Sequence, residues 1–238
     1  MSLHLLQCRP DPAALMTWAT RHRLLSPDGD EGYALHALLA AAFGEQAPKP
    51  FRYLDPRQGL LAYTEQSPDT LRDHAALATP EVARALGLDH LATRMFPTAW
   101  RTGQSFGFEV RVRPVIRTKD GRERDLFRHV AETQSGVAQV GRETVYADWL
   151  RKQFADQGAA QVQQVGLEAF RLCRVIRRAQ TDATGQRKPH AHAGPDAVFK
   201  GQLRVGDSAA FARLLARGIG RHRAFGFGML LLRPARPC

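Results

Sequence analysis

The chain has 238 residues, 44% of them hydrophobic and 24% charged, with a formal net charge of +11. That size and apolar content support one large domain or two small ones and exclude a largely disordered chain. Its three cysteines form no close cluster, the amino terminus lacks a secretory pattern, and no apolar run is long enough to span a bilayer, so a reduced, cytoplasmic protein is expected.

Ser2 to Cys8 reads as an opening strand, and Arg9-Pro-Asp-Pro12 as a turn and helix start. Ala13 to His22 is predicted helical and is interrupted by Ser26-Pro-Asp-Gly-Asp30. A second helix is predicted over 31–43, with apolar residues at 35, 38, 39 and 42 before the stop at Gly44. Residues 51–54 and 59–64 read as paired strands across Asp55-Pro-Arg-Gln-Gly59. Helical stretches follow at 67–74 and 79–86, then a strand at 91–100.

The strand predicted at 106–114 alternates Val110 and Val112 with Arg111 and Arg113, the period of a sheet with one wet face. The highly charged stretch 119–128 reads as loop and 144–154 as helix. Residues 161–178 read as extended, with helix the alternative for 167–178. The polar stretch 181–196 reads as a mobile loop and 197–205 as a strand. Asp207 caps a helix running through Arg217, and 225–232 reads as the last strand. The order strand–helix–strand–strand–helix–strand, used twice, predicts an α+β protein of tandem ferredoxin-like (RRM-like) domains. The expected domains are 1–103 and 104–238.

Charge is unevenly placed. From Arg171 to Arg223 there are twelve Lys or Arg against three Asp, which carries +9 of the total. Such concentration predicts a polyanion partner. An Arg-rich composition with a solvated surface explains the total charge better than its concentration. Gly218-Ile-Gly-Arg-His-Arg-Ala-Phe-Gly-Phe-Gly228 packs Gly218, Gly220, Gly226 and Gly228 around Arg221, His222 and Arg223. Glycines let a backbone approach an anion closely, and the basic side chains can face phosphate. The segment matches neither a P-loop nor a dinucleotide fingerprint. Helix capping at Gly218 or Gly220 accounts for part of the glycine content. Arg174, Arg177, Arg178, Arg187 and Lys188 can present a basic edge to RNA phosphates.

Tyr33 and His36 are the best catalytic pair, three apart on a helix and therefore on one face. Imidazole transfers protons near neutral pH, and a phenol can position a hydroxyl. Spacing alone favours packing for Tyr33 and a surface position for His36 over catalysis. His190 and His192 lack a third ligand in a recognisable pattern, so neither a metal nor a cofactor is expected.

Several of these segments resemble the CasE family, the type I-E CRISPR precursor-RNA endoribonucleases of Cascade. The resemblance rests on Phe199-Lys-Gly-Gln-Leu-Arg-Val-Gly-Asp207, Gly218-Ile-Gly220, and Phe225-Gly-Phe-Gly-Met-Leu-Leu-Leu-Arg-Pro234. Tyr33-Ala-Leu-His36 and the strand with Arg113 and Pro114 extend it to both halves. It implies tandem ferredoxin-like domains and metal-independent cleavage at the 3′ base of the repeat hairpin. The adjacent 2′-oxygen would attack phosphorus, leaving a 2′,3′-cyclic phosphate and a 5′-hydroxyl. By the resemblance His36 is the principal catalytic residue and Tyr33 its helper, with the division of proton transfers open and the site expected at the domain junction. The implied partners are precursor and mature CRISPR RNA and the other Cascade subunits. A noncatalytic RNA-binding subunit of a CRISPR complex is the alternative, and a metal-dependent nuclease is a third reading.

Overall fold

The computed structural model describes residues 2–119, 121–133, 140–177 and 190–235. Two compact units are present. The first comprises the described residues of Met1–Phe96 and Cys173–Ala193, with Ala224–Gly226; the second comprises the described residues of Pro97–Leu172, Gly194–Arg223 and Phe227–Cys238.

The first unit runs β1 (Leu3–Cys8), α1 (Pro12–Arg21), α2 (Gly32–Phe43), β2 (Phe51–Asp55), β3 (Gly59–Thr64), α3 (Pro68–Ala76), α4 (Pro80–Leu86) and β4 (Ala92–Phe96). Three of its helices begin on the same local chemistry, an oxygen-bearing cap followed by proline. Asp11 accepts from the Ala14 N–H at 2.8 Å, Ser67 from Thr70 at 3.1 Å and Thr79 from Val82 at 3.5 Å, with Pro12, Pro68 and Pro80 next in sequence. The sheet order β2-β3-β1-β4 is that of a ferredoxin-like unit, with β1 antiparallel to both β3 and β4. Register puts Leu6 opposite Ala62, Cys8 opposite Leu60 and Phe51 opposite Ala62, so one face carries these apolar side chains. Leu15, Trp18, Leu35, Leu38, Leu39, Phe43, Leu71 and Leu86 complete that core from the helices.

In the second unit the order is β5 (Ser105–Val112), β6 (Val115–Arg117), β7 (Glu123–Asp125), α5 (Leu126–Thr133), α6 (Arg142–Ala155), β8 (Ala160–Arg177), β9 (His190–Val205), α7 (Ser208–Arg217) and β10 (Leu230–Pro234). The far ends of β8 and β9 fall among the residues of the first unit. Its sheet order, β10-β5-β9-β8, repeats the ferredoxin-like arrangement. Val110 lies opposite Phe199 and Leu230, and Phe108 meets Phe154 with ring centroids 5.0 Å apart. The chain is thus an α+β protein with tandem ferredoxin-like folds.

Four segments differ from the sequence expectation. The charged stretch 119–128 contains β7 and the start of α5, because Asp125 is buried and accepts from the Tyr146 hydroxyl at 2.6 Å and the Phe127 N–H at 2.9 Å. Within 181–196, the described residues from His190 onward are strand, and Gly194 leaves room for the Arg113 guanidinium, which would stand 2.4 Å from a Cβ there. Residues 225–229 are not strand; β10 begins at Leu230, after a short 3-10 turn over Arg223–Phe225 and positive φ angles at Gly226 and Gly228. β4 stops at Phe96, before Pro97. The stretch read as extended with a helical alternative is strand through Arg177.

Leu38 is fully buried on α2. Leu38→Ala should lower the unfolding free energy by about 2–5 kcal/mol, measured by urea denaturation, because the cavity it leaves can collapse only in part.

Candidate active site

The helix α2 opens without a side-chain cap from Glu31. Instead the buried Asp30 carboxylate accepts from the Gly32 N–H at 3.0 Å. From this first turn Tyr33 and His36 project on one side, both half-buried, with ring centroids 6.2 Å apart. The segment Ala224–Gly226 lies against them. Phe225 stands 5.6 Å from Tyr33 and 5.1 Å from His36, in the second case edge-on at 89°. Burial lowers the His36 imidazole below its ordinary range, and the Lys49 ammonium adds to the shift. His36 therefore meets neutral pH as a neutral base with an aromatic wall on one side.

Gly32 makes that wall possible. A Cβ built there would lie 2.3 Å from the Phe225 carbonyl oxygen, inside any tolerable contact. Only a residue without a side chain lets the two backbones come this close.

The rest of the glycine-rich segment is held by its own backbone and by one carboxylate. Gly218 ends α7, its N–H bonding to the Leu214 carbonyl at 2.8 Å. The Ile219 N–H bonds to the Gly228 carbonyl at 2.8 Å, and the Gly228 N–H to the Arg111 carbonyl at 2.7 Å. At Gly228, φ is +78° and a Cβ would sit 2.3 Å from the Ile219 oxygen, so the closure needs glycine on two counts. Gly220 has φ +72° and faces Trp149. Gly226 also has positive φ.

Arg221 and His222 both point at Glu123. Arg221 Nε donates to it at 2.6 Å, and His222 Nε2 lies 2.5 Å from its other oxygen. The His222 side chain is only 4% exposed, while that of Arg221 is 45% exposed. His222 also holds φ +60°, a strained angle for a side-chain-bearing residue. The hydrogen bond from His222 holds the Glu123 carboxyl down at about 2 against the opposing effect of burial, helped by Arg221. Arg223 donates to the Arg217 carbonyl at 2.8 Å.

Arg174, on β8, is ion-paired with Asp28 at 2.8 Å, and its N–H donates to the same carboxylate at 2.7 Å. Its carbonyl accepts from the Ser26 hydroxyl at 2.5 Å. Arg177 is the last residue of β8. Arg178, Arg187 and Lys188 lie outside the described residues.

Of the residues singled out from sequence, Tyr33 and His36 are brought together, and the glycines form one closed segment. Phe225, Gly32, Lys49 and Glu123 were not picked out as site residues. Phe225 stood in plain view inside the glycine-rich motif, but no local period ties it to α2. Glu123 was hidden in a stretch read as charged loop.

The chain is thus a tandem ferredoxin-like protein in which a Tyr–His pair on the first turns of a helix accompanies a glycine-closed, arginine-bearing segment. No helix among the described residues is long and apolar enough to cross a membrane.

The chain belongs to the CRISPR-associated protein family, whose model, described as "CRISPR associated protein", matches residues 3–234. No curated protein sequence matches significantly. Among solved structures, Thermus thermophilus Cse3 bound to an RNA representing a pre-cleavage complex is 18% identical, with a TM-score of 0.65 over 98% of this chain and 100% of that one. The CRISPR endoribonuclease Cse3 bound to a 19-nucleotide RNA is likewise 18% identical, with a TM-score of 0.64 over 98% of both chains. Cas6e from Escherichia coli K-12 matches at 18% identity and a TM-score of 0.54, over 99% of this chain and 100% of that one. These likenesses establish the shared fold.

Because Glu123 is held below the ordinary carboxylate range, its stabilising effect is complete above about pH 4.5 and is lost as pH falls toward about 2. Glu123→Gln should therefore cost about 2 kcal/mol at pH 7, with the gap from wild type closing across that acid window in urea titrations.

Proposed function

We propose that this chain is a CRISPR RNA-processing, RNA-binding endoribonuclease of the CasE type, acting on repeat hairpins in precursor CRISPR RNA. The observation that carries the reading is the Tyr33–His36 pair, side by side on α2 with the imidazole's basicity reduced by burial. The family match and the fold shared with the Cse3 and Cas6e structures support the substrate class.

The reaction needs no activated water. The ribose 2′-oxygen beside the scissile bond attacks phosphorus as the bond to the 5′-oxygen breaks, giving a 2′,3′-cyclic phosphate and a 5′-hydroxyl. A neutral His36 is suited to accept the 2′-hydroxyl proton, and the departing 5′-oxygen takes up one proton in turn. In this reading Tyr33 is the helper, its hydroxyl orienting the attacking ribose. Positioning and acid–base transfer then supply the rate without a metal ion; the proton transfers alone contribute roughly 10²–10⁴-fold.

RNA is held electrostatically in this reading. Arg221 spends Nε on Glu123 and keeps other guanidinium donors for phosphate. Arg174 is assigned to the stem, the sequence adds Arg177, Arg178, Arg187 and Lys188 as further phosphate contacts, and the segment Gly218–Gly228, with Arg223, adds backbone and charge. His222 serves that contact by anchoring the segment on Glu123. Product CRISPR RNA and the other Cascade subunits are the partners of such an enzyme.

Purified protein should cut its cognate repeat hairpin at the 3′ base of the stem in the presence of chelator, leaving a cyclic phosphate detectable by end mapping. His36→Ala should keep hairpin affinity and lose at least 100-fold in single-turnover rate. Binding without scission by folded wild-type protein would replace this reading with a noncatalytic RNA-binding subunit. Chelator-sensitive scission would remove the metal-independent mechanism.

A neutral imidazole is the active form, so the rate should climb with pH through a midpoint below the ordinary imidazole value of about 6.5 and stay flat through neutrality. Single-turnover rates between pH 4.5 and 8 check this. Reversing the charge of Arg177 and Arg178 together should weaken hairpin binding and flatten its dependence on salt, read from binding titrations at several ionic strengths.

A further inference from the structure

We propose that Phe225 is a positioning residue for His36, and that Gly32 exists as glycine to admit it. The inference rests on the catalytic reading of His36 given above. Three aromatic rings meet on the first turns of α2: Tyr33, His36 and Phe225. Phe225 belongs to neither the helix nor a strand that could hold it there by ladder hydrogen bonds; it ends a short 3-10 turn and is followed by Gly226 at φ +81°. Its place is set by the approach of its own carbonyl to Gly32, where a Cβ would lie 2.3 Å from the oxygen and 3.0 Å from the carbonyl carbon.

Gly32 is otherwise a poor choice. It opens α2, where a residue with a side chain would lose less backbone freedom on folding than glycine does. The close backbone approach is the structural return for that loss.

The contact acts on orientation. The χ2 torsion of histidine is broad, so the backbone of α2 alone leaves open the plane that the imidazole takes. A ring packed edge-on at 5.1 Å narrows that choice, because aromatic pairs favour such arrangements and resist rotation out of them. Proton transfer requires one imidazole nitrogen within hydrogen-bond reach of the 2′-hydroxyl, and an ångström of misplacement can cost about 10²-fold. Phe225 touches no reacting atom in this scheme; it works through His36.

The test uses the full chain and its cognate repeat hairpin. Phe225→Leu keeps apolar bulk without the ring, Phe225→Tyr keeps the ring, and Gly32→Ala displaces the segment while improving helix propensity. Single-turnover rate, hairpin Kd and the imidazole proton resonances of His36, assigned by their loss in His36→Ala, are measured for each. Phe225→Leu and Gly32→Ala should slow cleavage about 10–100-fold at unchanged Kd and shift the His36 resonances, through loss of the neighbouring ring current. Phe225→Tyr should restore both rate and resonances. Wild-type rate or unmoved His36 resonances in Phe225→Leu would overturn the proposal. So would a rate loss that follows weakened hairpin binding, which would make Phe225 an RNA contact. Failure of the wild-type chain to cut the hairpin at all would instead remove the catalytic reading, and this inference with it; the control without any substitution separates the two cases.

Discussion

The carbonyl oxygen of Phe225 occupies the space that a side chain at position 32 would need. That single close approach brings an aromatic ring from late in the chain onto the helix that carries Tyr33 and His36. It also explains why α2 starts on a glycine, whose N–H is satisfied by the buried Asp30. The chemistry available at His36 follows. With one side walled by a ring and much of its surface removed from water, the imidazole prefers to be neutral.

The electrostatics follow a similar logic of local compensation. A chain with a net charge of +11 has few carboxylates to spare, yet individual acids are placed where each organises two basic side chains. Glu123 gathers Arg221 and His222, and Asp196, itself buried, gathers Arg111 and Arg171 at 2.7 and 2.8 Å. The Asp196 carboxyl is disfavoured by burial and nonetheless held below its ordinary range by those two arginines. Such pairs contribute little to attracting a polyanion, but they fix guanidinium directions and so turn diffuse positive charge into donors of defined geometry. Arg174 shows both aspects: it is paired with Asp28 and still half exposed.

The two ferredoxin-like folds were legible because their signals are local. Cap-plus-proline starts at Asp11-Pro12, Ser67-Pro68 and Thr79-Pro80 need only four residues to specify, and the alternation of Val110 and Val112 needs only three. Where the structure departs from the local expectation, a distant partner overrides local composition. Asp125 looked like one more loop acid until Tyr146 and Arg142 supplied the bonds that allow it to be buried. Phe225 to Leu232 looked like a continuous strand, but the bond between Gly228 and Ile219 bends its first part away from the extended form.

By itself the sequence determined the order of the ferredoxin-like core elements, the excess positive charge and the shared helical face of Tyr33 and His36, since each follows from neighbours within a few positions. Tertiary structure alone decided that Phe225 packs on His36, that Gly32 must lack a side chain, and that Arg221 and His222 share Glu123. The physical reason is range. Periodicity and capping act over one or two turns of chain, whereas ring contacts, ion pairs and close backbone approaches depend on which distant segments the packed core brings together.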